Sequence, residues 1–278
     1  MPTQAISGIR PKNVRKFGWA PETPSIKDWL WKDSPYANNP MPTEDSPDRR
    51  ELGHNAPVTD QGDTGSCVGQ SSAYAVEYLT RIDRDAYHST MYSALFQYYV
   101  ARTADGPEWA KVDSGAYIRD SLDCLRTIGI APASNWPFKP LPMPKKLFTK
   151  PSPSVYKAAA RWKLGAHWRL NGIEEVAKAI AAGLAVVGGL TLYSSFEPGP
   201  DGICPMPTRR DDEWGGHALY FDRVLPARKL VRFQNSWTDQ WGERGYGYIP
   251  YDYVDRADLA DDFWAMQCEA PETTPWKD

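Results

Sequence analysis

The 278-residue chain is poor in cysteine and histidine, with four of each. Cys67, Cys124, Cys204 and Cys268 form no C-x-x-C pair, and no histidine stands at metal-ligand spacing from any of them. The sequence therefore offers no zinc site. If one cysteine is kept free for chemistry, the other three cannot all pair, which argues against a disulfide framework and for a reducing compartment. Net charge is also scarce: 32 basic and 35 acidic residues leave −3 at pH 7. So weak a field excludes a protein built around nucleic-acid phosphates. Long apolar runs are missing. The most apolar stretch, 177–192, is broken by Lys178 and by glycines, and residues 1–24 hold no run of signal-peptide length. These absences predict a soluble chain, cytoplasmic by default, with no metal or cofactor motif and with neither nucleic acid nor membrane among its partners.

Aromatics, proline and glycine are plentiful. A hydrophobic share of 41%, with 13% aromatics and 12 tryptophans, is ample for a core. The 25 prolines and 21 glycines do not suit a helical bundle and point to loops and strands. Residues 1–56 read as an extended arm, with Pro2, Pro11, Pro21, Pro24, Pro35, Pro40, Pro42 and Pro47 biasing it away from helix. The arm carries Trp19, Trp29 and Trp31, so it is expected to pack on the body, anchored by some of the three.

Val68, Ser72, Ala75, Val76, Leu79 and Ile82 fall on one face at helical steps, predicting a helix over 67–83 with Ser66 as N-cap. Residues 90–103 and 115–128 predict two more, the second stopped by Gly129. Residues 133–155 are a proline-rich connector. A short helix over 172–182 precedes a buried strand over 184–193, and 217–224, 229–235, 245–249 and 262–268 read as further strands. A helix-rich first half and a strand-rich second half make an α+β chain. It divides into the arm 1–56, a helical part 57–160, a β-rich part 161–268 and a tail 269–278.

Three segments carry chemistry. Gln61-Gly-Asp-Thr-Gly-Ser-Cys67 runs straight into the first helix. A cysteine there feels the positive end of the helix dipole, which favours thiolate. The same segment also fits a glycine turn before a helix with a small buried residue. Trp214-Gly-Gly-His217-Ala opens a strand with space beside the imidazole, although a lone histidine is more often structural. Phe233-Gln-Asn235-Ser-Trp237 leads to Trp241-Gly and Gly245-Tyr-Gly, which would also suit an aromatic strand and turn.

In the order Gln, Cys, His, Asn, with these flanks, the segments resemble the papain-like cysteine peptidases, the peptidase C1 family of papain and the cathepsins. The matches are Q-G, G-S-C, G-H-A, N-S-W, W-G and G-Y-G, spread over about residues 55–265. The resemblance implies a helical lobe and a β-barrel-like lobe with a cleft between them, and a polypeptide substrate. It implies Cys67 as nucleophile, His217 as its base and acid, and Asn235 orienting the imidazole under the cover of Trp237. It further implies Gln61 and the Cys67 N–H as oxyanion hole, and Gly115 as a backbone contact for substrate. The helix terminus, a His217 imidazolium and backbone donors are expected to lower the Cys67 pKa.

The chain departs from the pattern at Thr64 for a disulfide cysteine, Val68 for Trp, Ser114 for the first of two glycines and Thr238 for Gly, which suggests a divergent bacterial- or viral-like branch. The segment before Gln61 is too proline-rich for the family's usual helical inhibitory propeptide, although the arm could still cross the cleft and restrain activity. A different class of reading stays open: a catalytically silent papain-like module that joins a larger assembly through the arm. A cell-wall amidase is disfavoured by the N-S-W and W-G segments. His54, His88 and His167 read as surface or satisfied core residues, Cys124 as core, and Cys204 as an exposed loop thiol. Asp211, Asp212 and Glu213 read as a solvated run, the sharper alternative being that they favour basic substrates or raise the His217 pKa.

Overall fold

The computed structural model describes residues 16–83, 90–139 and 145–268. His88, residues 1–15 of the arm and the tail 269–278 lie outside the described residues. Three helices precede the sheet: α1 (Cys67–Asp83), α2 (Ala94–Arg102) and α3 (Ile118–Thr127). Ser93 caps α2, its side chain accepting from Phe96 N at 3.0 Å. At the start of α1, Ser66 offers its carbonyl to Gln70 N, while its hydroxyl pairs with that of Thr64. The proline-rich connector holds a 3-10 turn, Lys145–Phe148, and leads into a short helix, α4 (Pro153–Ala159), begun by proline at a position that needs no N–H.

Six strands follow: β1 (Leu164–Leu170), β2 (Ala185–Tyr193), β3 (Glu213–Leu225), β4 (Leu230–Gln234), β5 (Tyr246–Pro250) and β6 (Ala260–Cys268). Helix α5 (Gly172–Ala181) lies between β1 and β2, and α6 (Tyr251–Val254) follows β5. The strands form one antiparallel sheet in the order β1-β6-β2-β3-β4-β5. With β1 and β5 at its edges the sheet is open and does not close into a barrel. Irregular chain covers both edges. Arg169 N donates to Trp29 O at 2.7 Å beside β1, and Tyr248 pairs with residues 202–204 beside β5. Each edge is thus interrupted by a bridge to irregular chain, which blunts it as a template for another strand.

Helix α1 lies on one face of the sheet. Val68, Ala75, Val76 and Leu79 pack there with Val187, Ala218, Tyr220 and Trp264. The opposite face is filled by α5, α6 and aromatic residues that include Trp31 and Trp237. Ile82 departs from the expected apolar face: it is 41% exposed, because the last turn of α1 runs past the edge of this packing. Cys204 departs the other way. Its N–H bonds Tyr248 O on β5, and it is fully buried in the second core.

Residues 45–49 are fixed by charge. Arg232, fully buried, bonds Asp222 and Asp48, and Arg223 also bonds Asp48. Burial pushes the Asp48 carboxyl up, but the Arg232 guanidinium outweighs it and holds the group at about 2. Arg49 donates to Ile180 O and Leu184 O and lies 4.0 Å from the centre of the Tyr78 ring. Cut from these partners, such a buried cation would be strongly destabilising.

Candidate active site

Where α1 meets β3, the sequence-selected residues converge. Cys67 is the first residue of α1 and is wholly buried. Backbone N–H groups of Ala218 and Gly18 face its sulfur and favour its thiolate form. Ala218 follows His217 in β3, so the strand that carries the imidazole also brings its backbone to the thiol. His217 Nε2 lies 2.9 Å from Asn235 Oδ1, which also accepts from Ser236 N at 2.8 Å. With Oδ1 as acceptor, the nitrogen facing Asn235 is the protonated one. Trp237 stacks on the imidazole with ring centres 4.8 Å apart, closing that hydrogen bond from one side. Trp237 is itself braced by Trp241, edge-on at 5.5 Å.

The Gln61 amide is equally fixed. Ser236 Oγ donates to its Oε1 at 2.6 Å, and its Nε2 points to Thr64 O at 2.9 Å and Lys16 O at 3.1 Å. Gly115, at φ +85°, gives its N–H to the Tyr98 hydroxyl at 2.9 Å. The neighbouring Ala116 N–H is the one that pairs with the arm, bonding Gly18 O at 2.8 Å.

The arm runs through this site. Trp19 N donates to Gly216 O at 3.1 Å, on the β3 side, while Gly18 passes along the α1 side. Phe17 sits 6.2 Å from both His217 and Trp237 and stacks on Trp214. Trp19 is buried between Gly189 and Gly216, where a Cβ on either glycine would collide with it, and its indole N–H points to Asp262. Trp31 is buried as well, whereas Trp29 is 49% exposed and stacks on His167.

The expected low pKa of Cys67 is not what this arrangement produces. Burial, the largest influence, pushes the thiol up to about 11 against the pull of the backbone N–H groups. The sequence shows the helix terminus but not the arm lying over it, and a covered thiol has little water to stabilise its thiolate. His167 is buried against Trp29 and Trp264, and burial lowers its pKa. Cys124 is in the core, and residues 211–213 lie in solvent-facing chain. Among the described residues, no three His, Cys, Asp or Glu side chains are grouped to hold a metal ion. No helix among them is long and apolar enough to cross a membrane.

The sequence reading passed over Ser236, Tyr98 and Asp113. Ser236 lies inside the N-S-W segment and orients Gln61. Asp113 accepts from Tyr98 OH at 2.6 Å and from Gly65 N at 3.1 Å, and it holds Lys16 of the arm. Ser236 thus sits in a marked segment without its role being legible, since its partner Gln61 is 175 positions away, while no local pattern marks Tyr98 or Asp113.

No family model matches the chain. It is 31% identical over 220 residues to an uncharacterized peptidase C1-like protein of Acanthamoeba polyphaga mimivirus, covering 75% of this chain and 68% of that one. Among solved structures it resembles xylellain, a cysteine protease from Xylella fastidiosa, at 28% identity and a TM-score of 0.80, over 94% of this chain and 100% of that one. It also resembles a procathepsin B of Trypanosoma congolense in fold, at 16% identity and a TM-score of 0.69, over 91% and 87% of the two chains.

Proposed function

The chain belongs to the papain-like cysteine peptidases, and we propose that within that family it is an endopeptidase working through Cys67 and His217 and held blocked by its own arm. A cysteine-type peptidase needs a thiol, a base, an orienting group and an oxyanion site within reach of one extended peptide. One observation carries the reading: an extended stretch of this chain, residues 16–19, already lies there, with the Lys16 carbonyl on the Gln61 amide and backbone bonds to Ala116 on one side and Gly216 on the other.

The reaction follows from the groups at hand. Asn235 holds one ring nitrogen of His217, leaving Nδ1 to take the Cys67 proton. The sulfur attacks the peptide carbonyl carbon. The oxygen, now negative, is met by Gln61 Nε2 and the Cys67 N–H, donors fixed before the charge forms. The tetrahedral adduct collapses as His217 protonates the leaving amine, leaving an acyl-cysteine. Water deprotonated by His217 then releases the acid and restores the thiol. Trp237 keeps bulk water from the imidazole–amide bond.

The arm blocks the site because residues 16–19 occupy the ground on which a substrate peptide would meet Gln61 and Cys67. Peptides reach Cys67 only when residues 16–19 leave. The test is to incubate the full-length chain carrying Gly18→Val, which displaces residues 16–19, with a peptide library and a thiol-directed epoxide, mapping cleavage and adduct by mass spectrometry. Cleavage that vanishes in Cys67→Ala, with the adduct on Cys67, is the expected result. If peptides stay intact and Cys67 stays unmodified even when residues 16–19 are displaced, the silent-module reading stands instead.

A further inference from the structure

Lys16 enters the site with more than its carbonyl. Its ammonium donates to Asp113 Oδ2 at 2.7 Å and to Asp113 O at 2.6 Å, so carboxylate and backbone oxygen of one residue clasp one cation. The Asp113 side chain is 5% exposed, and Lys16 supplies its ion pair. Its other partners, Gly65 N and Tyr98 OH, are neutral donors. These bonds fix the carboxylate on the cleft wall beside Gly65, two residues before Cys67. When the arm leaves, the carboxylate loses both its counter-charge and the cover of Lys16 while Gly65 and Tyr98 still fix it in place, and the next cation to arrive restores both.

Resting on the endopeptidase reading above, we propose that Asp113 is a specificity-determining residue. It takes the lysine or arginine side chain of the substrate residue whose carbonyl reaches Gln61, so the enzyme cuts on the C-terminal side of a basic residue. Lys16 shows that both contacts can be made by a single residue: its carbonyl oxygen lies 3.1 Å from Gln61 Nε2 while its ammonium is on Asp113. A neutral side chain at the same place would leave the carboxylate desolvated and unpaired, and an acidic one would be repelled. The arm thus holds the site with the kind of side chain that the site selects.

The test uses the full-length chain with Cys67→Ser, to prevent turnover, and Gly18→Val, whose side chain cannot pass Gly65; Lys16→Ala replaces Gly18→Val as a second way to free Asp113. Binding of the capped peptide Lys-Phe-Gly-Trp-Ala is compared with the same peptide carrying norleucine for lysine. The lysine peptide should bind about tenfold tighter or more, equivalent to roughly 1.4 kcal/mol. The ratio should shrink with added salt and fall toward one in Asp113→Asn, which keeps an oxygen for Gly65 and Tyr98. Equal binding of the two peptides, binding of neither, or a preference that survives Asp113→Asn would overturn the proposal. A parallel digest of a peptide library by the Gly18→Val chain with Cys67 intact separates the two readings. Cuts without a basic preference uphold the peptidase and sink the role of Asp113. Selective binding with no cutting upholds Asp113 and sinks the peptidase.

Discussion

Gly18 and Gly65 pass so closely that a Cβ on Gly18 would lie 1.9 Å from the Gly65 carbonyl oxygen. Backbone rather than a flexible side chain is in the way, so nothing can give cheaply. Gly18→Val should therefore unseat residues 16–19 while leaving the body of the protein folded. The overlap exceeds the roughly 1.4 kcal/mol that a factor of ten represents, so alkylation of Cys67 at neutral pH should rise about tenfold or more. Its pH profile should also move down from the about 11 that burial imposes. Peptide mass spectrometry reads the rate at each cysteine, with buried Cys124 and Cys204 as internal controls. A Cys67 that alkylates no faster would mean that the arm is not what shields it.

In that opened chain, Gln61 and His217 should separate. Gln61→Ala removes a donor that acts only on the developing oxyanion, so hydrolysis should fall by about 10²–10³ while alkylation of Cys67 continues. His217→Ala removes the base and the counter-charge, so both should suffer, with alkylation moving to higher pH. Asn235→Ala frees the imidazole to turn without changing net charge. Its effect on alkylation should be the smaller, and its effect on turnover should show in kcat. Equal loss of both readouts in Gln61→Ala would argue that the amide shapes the site instead of meeting the oxyanion.

The residues of the candidate site were easier to read in the sequence than what covers and tunes them. Gln61, Cys67, His217 and Asn235 stand in short motifs whose order carries information, and α1 follows from apolar spacing that its packing on β3 preserves. Strand β1 escaped notice because its alternation is spoiled by His167 and Arg169, both buried. They are tolerated there by Trp29, Asp28 and Asp262, partners more than ninety positions away in sequence. The anchoring of the arm was legible from its tryptophans, and Trp19 and Trp31 are indeed buried. The raised Cys67 pKa was not, because it depends on where Gly18 passes. Asp113 was invisible for the same reason: its meaning comes from Lys16 and Gly65.

The arm should grip more weakly as pH rises. Glu22 meets Arg119, and Arg119 and Arg169 also face Asp28, Asp120, Asp261 and Asp262, leaving carboxylates in excess. Burial pushes Glu22 up to about 7, against the pull of Arg119, and pushes Asp120 and Asp262 up to about 6. Glu22, the arm's own member of this group, holds its proton more tightly docked than free. Its contribution to docking is complete below about pH 4 and is lost as pH climbs through about 7. Hydrogen exchange of residues 19–30, corrected for the intrinsic rate, should show protection falling between about pH 5 and 8. Protection that grows over this range would show that the ion pairs outweigh the excess of negative charge.

Thr238 sits next to Trp237 at φ +68°, a left-handed conformation that a β-branched side chain adopts only under strain. The backbone is held there by Thr238 N bonding Thr59 O at 3.1 Å, so the strain persists because the turn beneath the aromatic cover requires that geometry. Left-handed backbone costs a non-glycine residue about 1–2 kcal/mol. Glycine would remove that cost but gain freedom in the unfolded chain worth about 0.4–1 kcal/mol in the other direction. It would also give up the contact of Thr238 Oγ1 with Gln240 N, long at 3.2 Å and exposed. The balance favours Thr238→Gly by about 0.5–1 kcal/mol, a rise in Tm of roughly 1–3 °C for a chain of this size. Thr238→Val keeps the branched Cβ and loses only the hydroxyl, so it should melt at or slightly below the parent. If glycine lowers Tm by as much as valine does, the hydroxyl contact rather than the backbone governs this turn.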